Sequence, residues 1–248
     1  MNGSIIRKIL GYVLILESLL LLLPSLVALI YKESVGKFYI GCAALTFLCG
    51  LLLAIKKAKN TVFYLKEGCV ATALSWILLS FFGALPFYFS GEIPSLVDAM
   101  FETVSGFTTT GSSILADVES LSHAAIFWRS FTHWIGGMGV LVFLLAVVQM
   151  SGGSSINLMK SESPGPSVGK LVPKMKHTAR ILYFIYLALT VLEVILLVCG
   201  DMPLFEALAT SFGTAGTGGF GIKNDSIGGY STYIQWTVTV FMLLFGVN

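Results

Sequence analysis

Phe101-Glu102-Thr103-Val104-Ser105-Gly106-Phe107-Thr108-Thr109-Thr110-Gly111-Ser112-Ser113 is the stretch on which the fold turns. It lies between two long apolar segments, yet it is too polar and too short to cross a bilayer itself. The residues leading into it, 94–106, read as a short helix, with Ser95 as cap and Asp98 three residues on as the reciprocal partner. At about 1.5 Å per residue that helix is roughly 20 Å long, short of the ~30 Å hydrocarbon core. Three threonines and a glycine then favour an extended, open backbone. A half-helix followed by exposed backbone is tolerated at membrane depth where it lines a water-filled path. The stretch therefore predicts an ion filter: the negative helix end faces a cation, and the carbonyls that follow replace its water.

The device recurs. Phe205-Glu206 opens a second copy, and Gly213-Thr214-Ala215-Gly216-Thr217-Gly218-Gly219-Phe220-Gly221 closes it. Taking Phe-Glu and Thr-Gly (Thr110-Gly111, Thr217-Gly218) as landmarks, the second copy carries three extra residues, so its register stays open. The candidate ion-facing residues are Thr108, Thr109, Thr110, Gly111 and Ser112 in the first copy. In the second they are Ala215, Gly216, Thr217, Gly218 and Gly219. Glycine permits backbone angles closed to other residues, which lets successive carbonyls address one axis. The bland reading is a glycine-broken loop between packed helices, and the duplication argues against it.

The surroundings are those of a membrane protein. The chain is 56% hydrophobic and 11% charged, outside the range of soluble domains. Its net charge of +2 gives no reason to expect nucleic acid, because the basic residues sit beside apolar segments. Cys42, Cys49, Cys69 and Cys199 show no metal or redox spacing. The first apolar stretch contains Glu17 and Pro24 and lacks a cleavage pattern, so it reads as a spanning helix and not a signal peptide. Six spans are predicted, at about 9–31, 38–55, 67–89, 125–150, 177–199 and 231–248. Arg7, Lys8, Lys56, Lys57, Lys59, Lys66, Lys160, Lys170, Lys174, Lys176 and Arg180 fall on one side. Lys32, Lys37, Arg129 and Lys223 fall on the other. This asymmetry puts the N-terminus in the cytoplasm and brings both filter-like elements in from outside.

The expected class is an all-α membrane protein. Two N-terminal spanning helices precede two parallel repeats of span, pore helix, filter loop and span, half of a four-repeat pore. The units run 1–62, 63–150, 151–176 (a Gly/Ser/Pro-rich cytoplasmic loop) and 177–248. Span, half-helix and span occur twice in one direction, so an axis along the membrane normal relates the repeats.

Other residues carry weaker signals. Gly136, Gly137 and Gly139 follow Trp134 on the fourth span, where small residues allow close helix packing; a gating hinge is the second reading. Arg129 and His133 share one helix face, and Arg129 is expected to brace the filter or tune cation entry. Glu17 and Glu193 lie within spans and are expected to form structural hydrogen bonds. Asp98, Glu102, Asp117, Glu119, Asp201, Glu206 and Asp225 make the outer side acidic, either to gather cations or as a solvated surface. His123, His133 and His177 do not cluster, which disfavours a metal site. An enzyme built on His123, His133 and nearby acids would lack a nucleophile–base pair.

Phe101 to Gly111, Trp128-Arg129-Ser130, His133 to Gly139, Pro164-Gly165-Pro166, Thr178-Ala179 and Thr217-Gly218-Gly219-Phe220 together resemble the TrkH membrane subunits of bacterial potassium uptake systems. The two leading spans resemble the extra N-terminal helix pair of that family within the Trk/Ktr/HKT superfamily. The resemblance implies a pore-forming potassium subunit, a symporter or a channel, in the bacterial inner membrane. It implies four fused repeats around one pore, a homodimer within membrane lipid, and a cytoplasmic nucleotide-binding regulatory subunit. It matches Gly111 and Gly218 to the filter glycines; glycine rather than serine at the first suggests potassium over sodium. No cofactor is expected in this chain, with potassium ion held only at the filter residues as cargo. Only two of the four repeats are present and the chain stops inside an apolar helix, so an N-terminal half is expected. A channel assembled from two such chains is the alternative.

Overall fold

The computed structural model describes residues 2–55, 65–139 and 172–247. Among them every regular element is helical: α1 (Gly3–Leu20), α2 (Leu22–Ile30), α3 (Gly36–Ile55), α4 (Leu65–Ser90), α5 (Leu96–Phe107), α6 (His123–Met138), α7 (Val172–Cys199), α8 (Leu204–Ala215) and α9 (Thr232–Gly246). Among the described residues four helical stretches are long and apolar enough to cross a membrane: Gly3–Ile30, Gly36–Ile55, Lys66–Ser90 and Ile181–Cys199. The first of these combines α1 and α2, which join at Leu21, whose N–H still bonds to the Glu17 carbonyl at 2.9 Å. Pro24 lacks an N–H, but at the start of α2 that costs little.

Two expectations shift. The first span begins at Gly3, earlier than 9, and α7 begins at Val172, five residues before the expected 177. The expected fourth span beyond Gly139, the cytoplasmic loop as far as 171, and Lys56, Lys57, Lys59, Lys160 and Lys170 lie outside the described residues.

Apolar helices gain little by leaving lipid for one another, so close packing has to hold them. Gly11 and Gly50 are where α1 and α3 cross. A Cβ on Gly11 would lie 2.7 Å from the Gly50 carbonyl oxygen, and one on Gly50 would lie 2.9 Å from that of Gly11. α4 continues through Pro86, and Trp128 of α6 donates its indole N–H to the Gly83 carbonyl at 2.9 Å, one turn before the proline disturbs the ladder. Trp128 is fully buried, edge-on to Phe107 of α5. Phe131, Trp134 and Phe212 continue this aromatic packing between α6 and α8, each pair contributing about 0.5–1.5 kcal/mol beyond its area. A smaller cluster of Leu197, Met202, Ala207, Ile234 and Val238 joins α7, α8 and α9.

The N-terminus of α6 is fixed from three directions. Ser122 caps it through the Ala125 N–H at 3.1 Å. Glu33 accepts from the N–H groups of His123 (2.8 Å) and Ala124 (3.1 Å), and Glu92 accepts from Ser122 N–H at 2.7 Å. Carboxylates are stabilised at such a positive helix end. Tyr31 stacks on His123 at 3.8 Å. The α2–α3 turn is thereby anchored to the helix that carries the site.

Candidate functional site

α5 and α8 are each 12 residues long and point their C-terminal ends toward α6. Ser95 starts α5, its hydroxyl accepting from Asp98 N–H at 3.3 Å. Pro203 starts α8 with φ −53°, already suited to the helix, and no side-chain cap. Both ends close alike. Thr108 N–H bonds to Val104 carbonyl (2.9 Å) and Thr109 N–H to Gly106 carbonyl (2.9 Å); Gly216 N–H bonds to Phe212 carbonyl (3.3 Å) and Thr217 N–H to Thr214 carbonyl (2.8 Å). The backbone then turns left-handed at Thr109 (φ 55°) and Gly111 (φ 77°), and again at Thr217 (φ 55°) and Gly219 (φ 75°). A threonine in that region carries strain on the order of 1–2 kcal/mol, here at matched positions.

These landmarks correct the register. Leu96 and Leu204, Phe107 and Ala215, Thr109 and Thr217, and Gly111 and Gly219 are each 108 residues apart. There is no three-residue insertion. Phe101-Glu102 corresponds to Ala209-Thr210; Phe205-Glu206 lies in the first turn of α8 instead. Gly111 pairs with Gly219, and Gly218 with Thr110. Helix length and backbone handedness set the correspondence, whereas the Phe-Glu pairs stand on different turns.

α6 fills the space between the two helix ends. A Cβ on Gly136 would overlap the Phe107 carbonyl oxygen, and one on Gly137 would lie 3.0 Å from Gly216 Cα. Tyr186 of α7 donates its hydroxyl to the Trp134 carbonyl at 3.0 Å beside them. Gly139 caps α6 with φ 72°. The loops also meet each other: a Cβ on Gly111 would overlap the Gly218 carbonyl oxygen, and one on Gly218 would fall 2.8 Å from the Thr109 carbonyl oxygen.

Thr108, Thr110, Ser112, Thr217 and Gly219 are exposed, while Thr109, Gly111 and Gly218 are half-buried. Ala215 and Gly216 depart from expectation. They are buried, ending and capping α8, and Gly216 packs on the His133 carbonyl. Thr108, the counterpart of Gly216, directs its hydroxyl to the Val104 carbonyl at 2.7 Å and lies 2.8 Å from the Thr110 hydroxyl. The exposed positions of both loops thus carry uncharged residues, three of them threonines.

Behind the loops lies a buried ion pair. Arg129 Nε donates to Glu102 Oε1 at 2.5 Å, with side chains 3% and 0% exposed. Glu102 also accepts from the Ser113 hydroxyl (3.0 Å) and the Ile114 N–H (3.0 Å). Arg129 donates to the Gly221 carbonyl at 2.8 Å and lies 3.6 Å above the Phe220 ring, whose plane is stacked with His133 at 3.9 Å. Removing one partner of such a pair typically costs about 3–5 kcal/mol.

Glu102 therefore does not belong to an acidic outer surface. Glu206 is likewise engaged, accepting from the Tyr230 hydroxyl at 2.6 Å. Burial, aided by that bond, pushes the Tyr230 pKa up. On an exposed face of the loops Asn224 accepts from Val118 N–H (2.8 Å) and donates to Asp117 (2.9 Å) and, through its backbone, to Glu119 (3.0 Å). The Asn224 amide holds the Asp117 carboxyl below its ordinary value. Glu17 and Glu193 are buried; contrary to expectation the Glu17 carboxylate has no hydrogen-bond partner among the described residues, whereas the Thr214 side chain approaches that of Glu193. Glu17 faces Gly83, where α1 meets α4. No group of three His, Cys, Asp or Glu able to hold a metal occurs among the described residues.

Fold and site together define a multi-pass, all-helical membrane protein in which two half-helices end in matched loops on a shared helix. The TrkH family model, described as a cation transport protein, matches residues 35–248. The chain belongs to the TrkH family, a transport family rather than an enzyme family. It is 37% identical to the Trk system potassium uptake protein TrkH of Salmonella typhimurium, covering 100% of this chain and 52% of that one. It is 34% identical to the Trk system potassium uptake protein TrkG of Escherichia coli, covering 100% and 53%. The crystal structure of the potassium transporter TrkH from Vibrio parahaemolyticus superposes with a TM-score of 0.82 at 31% identity, over 98% of this chain and 50% of that one. The chain spans about half the length of the relatives it matches.

Proposed function

We propose that these residues supply two of the ion-coordinating loops of a potassium uptake protein, α5 and α8 serving as its pore helices. The observation that carries this reading is the matched backbone of the two loops. In each, φ changes sign between successive residues at 109–111 and 217–219. Alternating handedness aligns peptide N–H groups on one side and so leaves their carbonyls to the other. Together with two negative helix ends this is an arrangement for a cation stripped of water, with no charged side chain to bind it too tightly. Relatives named for potassium uptake support that ion as cargo.

Two loops cover about half of a four-loop ring. The remaining ligands come from outside these residues, from the other half of the length seen in relatives or from a second copy. The N-terminus and the segment between α6 and α7 face the cytoplasm, as the distribution of Lys and Arg indicates, with the loops entering from outside. A dimer of the full protein, in the bacterial inner membrane with a cytoplasmic nucleotide-binding regulator, completes the reading by family analogy.

Gly111→Ser in the full-length protein tests it. The side chain would strain the left-handed backbone and press on the Gly218 carbonyl. The expected outcome in liposomes is a lower ratio of potassium to sodium flux. An unchanged ratio at normal expression would make Gly111 a turn residue only.

A further inference from the structure

We propose that the buried Glu102–Arg129 pair is a positioning device for ion preference, coupling the spacing of one loop to that of the other. The inference rests on the ion-conducting reading above. An unbroken set of hydrogen bonds joins these groups: Glu102 accepts from Ile114 N–H and from Arg129, and Arg129 donates also to the Gly221 carbonyl. Ile114 follows the first loop and Gly221 the second, so the chain of bonds links the exits of both. Its terminal contacts are to backbone atoms, and moving the pair therefore moves the main chain of either loop.

Side-chain contacts reinforce the link. Ser113 donates its hydroxyl to Glu102, and the Arg129 guanidinium lies 3.6 Å over the Phe220 ring, against which His133 also stacks. Phe220 is 3% exposed, leaving it little freedom to shift alone. The pair itself is closed off from the open side of the loops and touches none of Thr109, Thr110, Thr217 or Gly218 by hydrogen bond. It therefore acts on an ion only by setting where the loop backbones stand. A buried ion pair suits this task because its attraction outweighs desolvation only in good geometry, which penalises displacement in every direction. Potassium and sodium differ in radius by a fraction of an ångström, so a shift in loop spacing of that size alters which ion the carbonyls fit.

The test uses the full-length protein in liposomes, with potassium and sodium fluxes measured on the same preparation. The expected result for Glu102→Gln is a roughly tenfold fall in the potassium-to-sodium flux ratio. Combining it with Arg129→Gln removes the orphaned charge and lets two amides bond, so at least half of the lost ratio, on a logarithmic scale, should return. A purely structural pair would lower both fluxes in proportion and leave the ratio unchanged, which would overturn the proposal. Should Glu102→Gln not accumulate, Ser113→Ala and Phe220→Leu each cut one outer contact and leave the pair intact. A roughly two- to threefold fall in ratio is expected for each, and an unchanged ratio in both would equally overturn the idea. If the unmodified protein itself shows no preference for potassium, the proposed function fails first. A potassium-selective parent with an unaltered Glu102→Gln ratio rejects the positioning role alone.

Discussion

The two helix-ended loops share a backbone and almost nothing else. The first is Thr108-Thr109-Thr110-Gly111, held from behind by Glu102 through Ser113 and Ile114. The second is Gly216-Thr217-Gly218-Gly219, held by Phe220 packed against Arg129 and His133. The threonine-rich loop uses side-chain hydroxyls to settle itself, as in the Thr108–Thr110 contact. The glycine-rich loop is shaped from outside, with α6 pressed directly against Gly216 and Gly218. One backbone path can thus be reached by local hydrogen bonding or by external packing. Substitutions at equivalent positions should have unequal effects.

The largest expected inequality is between the contacts of two carboxylates, Glu102 of α5 and Glu206 of α8. Glu102→Ala leaves Arg129 without its carboxylate and should cost about 3–5 kcal/mol. The acid in the first turn of α8, Glu206, accepts one tyrosine hydroxyl, and Tyr230→Phe should cost about 1 kcal/mol. Thermal unfolding in detergent compares the two. Similar losses would mean that both loops are braced alike.

Next come the paired glycines. Gly111 and Gly219 share a left-handed φ, but a Cβ on Gly111 would strike Gly218, whereas one on Gly219 meets only Met242 at 3.6 Å. Gly219→Ala should cost about 1–2 kcal/mol, the backbone term alone. Gly111→Ala should add an overpacking term of about 1–3 kcal/mol. Unfolding midpoints of the two variants test the comparison, and equal losses would remove the contact between the loops from the account.

The smallest effect joins the two regions through the exposed Asp117–Asn224 contact. The Asp117 carboxyl is held below its ordinary value by the Asn224 amide, so its ionised form is the one stabilised. The contribution is present above the unfolded carboxylate value of about 3.9 and disappears as pH falls through the lower folded value. Protection of the Val118 amide against hydrogen exchange, corrected for intrinsic rate, should be constant from about pH 5 to 8 and should decline only below about pH 4. A decline near pH 6 would assign the clasp to another group.

What the sequence alone determined is what short-range chemistry writes. The apolar spans, the short α5 with Ser95 at its start, and the break after Phe107 follow from hydropathy, capping and the glycine-threonine run, all readable within about a dozen residues. The sequence also marked Arg129 as a brace for the filter, but it read Glu102 with the outer acids and paired neither. Only the tertiary structure decided which partners they take. Glu102 and Arg129 are 27 residues apart, Arg129 and Gly221 are 92 apart, and Val118 and Asn224 are 106 apart. It also decided the register of the second loop and withdrew Ala215 and Gly216 from the open side. Helix ends, handedness and close backbone approach are three-dimensional quantities, and repeated dipeptides carry no record of the turn on which they stand. Glu17 shows the same limit from the other direction: the sequence placed it in a helix, and packing left its carboxylate without a hydrogen-bond partner among the described residues.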